Sequence, residues 1–215
     1  MIPGYQEPLT RTEFQRILGV SRETLEKLDF LVAFLKERQR TVNLVGRSTL
    51  PDVWRRHILD SAQVLDLVPS DCSTVTDLGS GAGFPGLILA IMGDFKVHLV
   101  ESIGKKAQFL REVSAELDLD THIHQERIEE LEPWVTQIVT ARALAPLDSL
   151  LKYASRFSAQ PGGRPPICLF LKGKQHRKEL EHAASYWDLD YNIQRSLTDP
   201  EGVILSVKKF FKHGK

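Results

Sequence analysis

The chain has 215 residues, of which 42% are hydrophobic and 26% charged, with 28 Lys and Arg balancing 28 Asp and Glu. That length supports one well-buried domain with an extension, and the neutral balance excludes a generic polycationic binder of nucleic acid. No run of about 18 apolar residues is present to span a membrane. The first eight residues, Met1-Ile-Pro-Gly-Tyr-Gln-Glu-Pro8, lack the charged start and apolar core of a secretory signal.

Residues 1–68 read as a helical extension. Thr10-Arg-Thr-Glu13 is a capping box ahead of Phe14, Ile17 and Leu18. Ser21 can cap a longer helix with Leu25, Leu28, Leu31, Val32 and Leu35 at helical spacing. Pro51 suits the first turn of a third, carrying Val53, Trp54, Ile58, Leu59 and Leu65. From residue 69 to 215 the pattern changes. Strands are expected near 73–78, 96–101, 121–125, 137–141 and 167–171, and helices near 86–93, 105–118, 146–157 and 175–187. That alternation predicts a parallel sheet with helices on both faces. Gln160–Pro166 is a connector within it. Two final β-like runs, 191–197 and 203–210, are joined by Thr198-Asp-Pro-Glu-Gly202 with no helix between, which predicts an antiparallel hairpin.

Cys168 lies in the apolar run Ile167–Leu171 and reads as a buried small hydrophobe. Neither it nor Cys72 has metal-ligand neighbours, so no disulfide and no metal site is expected, in keeping with a reduced, cytoplasmic location. Local basic clusters occur at Arg55-Arg56-His57, Lys105-Lys106 with Arg111, Lys172 with Lys174, Arg177 and Lys178, and the tail Lys208–Lys215.

The run Asp77-Leu-Gly79-Ser-Gly81-Ala-Gly83-Phe84-Pro-Gly86, between a strand and a helix, is where α/β enzymes hold nucleotide-like cofactors. Gly81, Gly83 and Gly86 fit the dinucleotide pattern G-x-G-x-x-G. Gly79, Gly81 and Gly83 with Asp77 ahead fit the loop of S-adenosylmethionine (SAM) methyltransferases. An acid before the glycines repels a pyrophosphate but suits the cationic amino-acid end of SAM, so SAM is preferred to NAD. Asp77 is expected to face that end. Glu101, closing the second strand about 20 residues on, is placed to accept the ribose hydroxyls of either cofactor. The hairpin belongs to the SAM-methyltransferase architecture, and no chain remains for a dehydrogenase's substrate domain. The expected fold is therefore α/β: a Rossmann-like, seven-stranded class I SAM-dependent methyltransferase sheet, mostly parallel, with a C-terminal antiparallel hairpin and an N-terminal helical extension.

Methyl transfer from SAM needs alignment and exclusion of water more than a catalytic dyad. After the fourth strand the chain reads Thr140-Ala-Arg142-Ala-Leu-Ala145, without the (D/N)-P-P-(Y/F) clamp of exocyclic-amine methylation. No exposed nucleophilic cysteine is expected for attack on a pyrimidine. A ring nitrogen with a free lone pair, such as guanine N7, requires neither. Arg142, at the sheet edge where ligands bind, is the candidate positioning residue; no catalytic residue is assigned with certainty.

The Pro85-Gly86 ending of the loop resembles that of the bacterial small-subunit ribosomal RNA methyltransferase G family, also called glucose-inhibited division protein B. So do Asn43-Leu44 with Arg56-His-Ile-Leu-Asp-Ser61, Glu101-Ser-Ile-Gly-Lys105-Lys106, Arg127-Ile-Glu-Glu130, Ala141-Arg-Ala143 and Leu171-Lys-Gly173. Gly46 departs from the family's usual residue. The resemblance implies SAM-dependent methylation of guanosine N7 in 16S rRNA, with the small ribosomal subunit as partner, no membrane, and a monomer. It implies cofactor contacts from Gly79 and Phe84, adenine neighbours Ile128 and Glu129, and Arg142 near the methyl end. Lys105, Lys106 and Lys172 become candidates for RNA phosphate. His57 and Asp60 either cover the pocket or hold the extension. The alternatives are a SAM enzyme for a small molecule or protein, and a non-catalytic ribosome-assembly module.

Overall fold

The computed structural model describes residues 7–160 and 163–213; the start of the N-terminal reading, part of the 160–166 connector and the last two residues of the basic tail lie outside them. Thr10 starts α1 (Arg11–Leu18): its hydroxyl accepts the Glu13 amide while the Glu13 carboxylate accepts the Thr10 amide. Ser21 caps α2 (Arg22–Arg38), which turns Leu25, Leu28, Leu31, Val32 and Leu35 inward. The third helix departs from its expected form. A 3₁₀ turn, Arg47–Asp52, contains Pro51 and passes into a π turn, Trp54–Leu59, then α3 (Asp60–Ala62) and a second 3₁₀ turn, Gln63–Leu67. The Asp60 amide bonds back five residues to the Arg55 carbonyl. The wider turn sends Arg55 into the interior, where it meets Asp52 and the Glu7 carbonyl.

The sheet strands are β1 (Thr74–Leu78), β2 (Lys96–Val100), β3 (Thr121–His124), β4 (Ile138–Arg142), β5 (Ile167–Lys172), β6 (Trp187–Arg195) and β7 (Val203–Lys212). Their order is β3-β2-β1-β4-β5-β7-β6; the first five run parallel and β7 lies antiparallel between β5 and β6. The crossover helices are α4 (Gly86–Met92), α5 (Gly104–Glu116), α6 (Leu147–Ala154) and α7 (His176–Ala184). The final helix is shorter than expected and β6 starts earlier, because pairing with β7 holds a mostly exposed, polar strand.

Two apolar layers flank the sheet. One joins Phe14, Leu28 and Leu35 of the extension to Leu87, Leu99 and Phe109. Phe34 stacks on Phe109 at 5.6 Å, and Arg38 pairs with Glu112 at 2.7 Å. The extension thus shares a core with the sheet. The other layer packs α6 and α7 on Val139, Phe170 and Leu205. Strand order reverses between β1 and β4, and ligands of doubly wound sheets bind outside the carboxyl ends of strands at such a point.

Candidate functional site

β1 ends at Leu78, and the chain turns through Gly79, Gly81 and Gly83 at φ of 65°, 58° and 88°. A Cβ on Gly83 would lie 2.2 Å from Leu87, so this glycine serves the turn's packing onto α4. A Cβ on Gly81 would meet only the Gly79 carbonyl, at 3.8 Å. Gly81 faces open space where a ligand can approach the backbone, and only its φ forbids a side chain. The Ser80 amide donates to the Val100 carbonyl at 2.9 Å, tying the turn to β2.

Asp77, expected to face the cationic end of the cofactor, is instead turned under the glycine turn. Its carboxylate is wholly buried beneath the turn, accepting from Thr140 Oγ1 at 2.8 Å and from the Gly86 amide at 3.3 Å. Asp77 therefore holds the first amide of α4 and ties β1 to β4. Burial pushes its acid up to about 6, against the opposing effect of those hydrogen bonds.

Glu101 sits at the end of β2 as expected. Its Oε2 accepts the Gly81 amide at 2.9 Å and its Oε1 the Ile103 amide at 2.7 Å. Each oxygen keeps a second lone pair for a hydroxyl. Beyond it lies a pocket of about 350 Å³ lined by Gly81, Glu101, Ile103, Ile128, Glu129 and Tyr153. Ile128 is buried and Glu129 exposed. The Tyr153 hydroxyl donates to Glu129 at 2.8 Å. The Glu129 backbone amide first, and then this hydroxyl, hold that acid below the ordinary carboxylate range. Arg156 donates to the Ile128 and Leu131 carbonyls, fixing the loop that carries both residues.

A second cavity, of about 500 Å³, adjoins the first; Gly79, Gly81, Lys106 and Ala143 line both. Ala143 follows β4 at φ 52°, a left-handed turn that leaves Arg142 at the strand's end. Arg142 Nη1 donates to the Arg56 carbonyl at 3.0 Å and to Asp60 at 3.1 Å, and Nη2 to His57 Nδ1 at 2.9 Å. Its guanidinium lies 5.2 Å from the Phe84 ring, and the His57 ring stacks on the same phenyl at 4.9 Å. A guanidinium only donates, so His57 Nδ1 accepts and the ring proton is on Nε2. Nε2 donates to Thr49 Oγ1 at 2.7 Å, and that hydroxyl donates to the Gly46 carbonyl at 2.7 Å. Burial first, then Arg142 and Arg56, lower His57 to about 3 and keep it neutral.

The lysines divide. Lys105 is exposed and Lys106 lines the junction of the two cavities. Lys172, expected to meet RNA phosphate, is corrected: its side chain is 9% exposed, with Nζ 2.6 Å from Glu179 and 2.9 Å from the Ala145 carbonyl. Thr49, Gln63, Tyr153, Arg156 and Thr198 were not singled out from sequence. Each is an ordinary polar residue whose partner lies elsewhere in the chain, so no local pattern marks it. Among the described residues no cluster of His, Cys, Asp or Glu could hold a metal ion, and both cysteines are free and buried.

The family model described as rRNA small subunit methyltransferase G matches residues 24–204. Ribosomal RNA small subunit methyltransferase G of Rhodospirillum centenum is 47% identical over 203 residues, covering 94% of this chain and 92% of that protein. Among solved structures, M. jannaschii TYW2 in complex with AdoMet superposes with a TM-score of 0.56 at 16% identity, covering 75% of this chain and 81% of that one. The ribosomal protein L11 methylase of Lactobacillus delbrueckii gives 0.55 at 16% identity, covering 69% and 76%. The sheet order and terminal hairpin are those of the class I SAM-dependent methyltransferases. The chain belongs to the rRNA small subunit methyltransferase G family.

Proposed function

We propose that this protein transfers a methyl group from SAM to N7 of a guanosine in 16S rRNA of the small ribosomal subunit. The observation that carries the reading is a single groove, in a chain of this family, that runs from Glu101 and Ile128 over Gly81 to Arg142 and Phe84. SAM fits it: Gly81 leaves open space above the backbone, Glu101 keeps lone pairs for the ribose, and Ile128 offers an apolar wall to the adenine. When bound, SAM supplies a methyl on a cationic sulfur, so the N7 lone pair forms the new bond while the C–S electron pair leaves with sulfur, and no proton moves.

The chain's residues then bind and orient. Gly79 and Gly81 present backbone, Gly83 shapes the turn, and Phe84 packs beside the reacting end. Glu129 borders the adenine pocket. Asp77 acts through its field from beneath the loop. Arg142 positions the acceptor, and Lys105 and Lys106 take RNA phosphate at the rim. A guanine N7 acceptor must keep its lone pair free, so Arg142 serves it by stacking or by donating to O6, not by the common paired contact to O6 and N7. The protein works as a monomer in the cytoplasm, with residues 1–68 as an extension and 69–215 as the catalytic core.

Labelled SAM incubated with small subunits lacking the modification tests this. Label in 16S rRNA, recovered as 7-methylguanosine by mass spectrometry, is expected. Label only on a metabolite or a protein overturns it.

A further inference from the structure

Asp60 makes bonds in two directions. Its Oδ2 accepts from Arg142 Nη1 at 3.1 Å, on the cofactor side of the cavity. Its Oδ1 accepts from Thr198 Oγ1 at 2.5 Å and from Gln63 Nε2 at 3.1 Å. Thr198 lies in the hairpin turn between β6 and β7, 138 positions along the chain. Gln63 continues the grip: its Oε1 accepts the Leu197 amide at 2.8 Å and its Nε2 lies 3.2 Å from Ser196 Oγ. Gln63 and Thr198 are both buried. Outside them, Arg56 faces Asp199 at 3.6 Å. Arg56, Asp60, Gln63, Ser196, Thr198 and Asp199 all line the 500 Å³ cavity.

The hairpin turn and Arg142 thus compete for nothing and share one carboxylate. A hairpin turn held only for stability needs no bond to the arginine of the ligand groove. An arginine that only neutralised charge needs no carboxylate whose second oxygen is committed to a distant loop. We propose that Asp60 is a positioning residue that couples the C-terminal hairpin turn to the aim of Arg142, so that the turn is part of the acceptor site. This rests on the methyltransferase reading above. Tightening of the turn, as when substrate packs on it, fixes the guanidinium; loosening of the turn weakens the Asp60 hold and leaves Arg142 to the Arg56 carbonyl and His57 alone. Coupling of this kind is reciprocal, so removing Arg142 also loosens the turn.

Two measurements test the coupling. The first compares Asp60→Asn, Thr198→Val and the double variant, in methyl transfer to small subunits and in SAM binding by calorimetry. Asp60→Asn lowers kcat by about 30-fold and Thr198→Val by about fivefold, as misaimed groups do. SAM affinity stays within about twofold, Thr198→Ser restores the rate, and the two losses are not additive because the residues share one network. The second follows hydrogen exchange of the Leu197 and Gly202 amides in Arg142→Ala: both exchange faster than in the parent although neither touches Arg142. Unchanged exchange in that variant, or additive kinetic losses, overturns the coupling. If the unaltered protein methylates no rRNA, the functional reading fails while the exchange measurement still decides the coupling.

Discussion

Replacing Asp77 by asparagine tests the reading of that residue as a buried tie. The carboxyl titrates at about 6 in the folded chain and at an ordinary 3.8 when free of it. The folded chain therefore binds the proton more tightly than the unfolded chain between those values. Stability from this group is present below about 3.8, falls as pH rises through the window, and is gone above about 6. A displacement of about two units is worth about 3 kcal/mol, and full burial leaves no solvent screening to discount. The asparagine of Asp77→Asn carries no such titration and can still accept from the Gly86 amide and donate to Thr140. Urea unfolding of both proteins from pH 4 to pH 7.5 is the assay. The stability of Asp77→Asn relative to the parent should rise by about 2–3 kcal/mol across that range. His57, lowered to about 3, slopes the other way, since the unfolded chain there binds more protons up to about 6.5; it is present in both proteins and cancels in the difference. A difference flat to within about 1 kcal/mol, or one falling with pH, refutes the account.

Three further changes probe the groove. The His57 ring proton followed by NMR should show no titration midpoint above pH 5; a midpoint near 6.5 means the Arg142 contact is not formed in solution. Gly81→Ala forces a left-handed alanine at about 1–2 kcal/mol and puts a methyl into the groove. SAM affinity by calorimetry should fall tenfold or more while Gly46→Ala, whose Cβ meets only Thr49 at 3.8 Å, leaves it unchanged. Glu101→Gln leaves either the Gly81 or the Ile103 amide facing an NH₂ group, a loss of about 1–3 kcal/mol. It should appear as faster exchange of that amide and weaker SAM binding; parent-like values in both would show that the clamp is unimportant.

The parallel strands were legible as short apolar or β-prone runs: β5 is apolar on both faces and buried from Cys168 to Leu171, while β3, Thr121–His124, has no buried residue. β1, buried from Val75 to Leu78, reads as a β-prone run leading through the acid into the glycines. The caps at Thr10 and Ser21 were equally legible, being local side-chain chemistry. What failed was non-local. A π turn at Trp54–Leu59 has the same residue types as an α turn, and only its five-residue bond reveals it. An acid before a glycine turn serves a ligand or the next helix's first amide with the same spelling; Asp77 takes the second role by accepting the Gly86 amide, and its other oxygen accepts from Thr140, 63 positions away. Lys172 read as a free cation because Glu179 lies a strand end and a helix turn later. Glu101 and Arg142 lie on the groove where the reading put them because strand ends are predictable places; the partners that hold Arg142 come from other segments and left no mark.

Charge around the cavity explains how a chain of zero net charge can serve an RNA substrate. In methyl transfer to N7 a positive charge passes from donor to base, so an unpaired cation on the wall would oppose the step. Three cations of the wall are paired, Arg142 with Asp60 at 3.1 Å, Lys172 with Glu179 at 2.6 Å and Arg56 with Asp199 at 3.6 Å, while Lys106 stands where the two cavities join. His57 adds none, being neutral, and Asp77 carries its carboxylate beneath the loop above pH 6. Attraction for phosphate is the role proposed for Lys105 and Lys106, which lie on the first turn of α5, Lys106 lining the groove. Two such contacts supply too little counterion release to hold RNA indiscriminately. On the proposed function, selection would come from shape: Leu44, Val45 and Gly46 of the extension line the same cavity as Asp60, which bonds Thr198 of the hairpin turn.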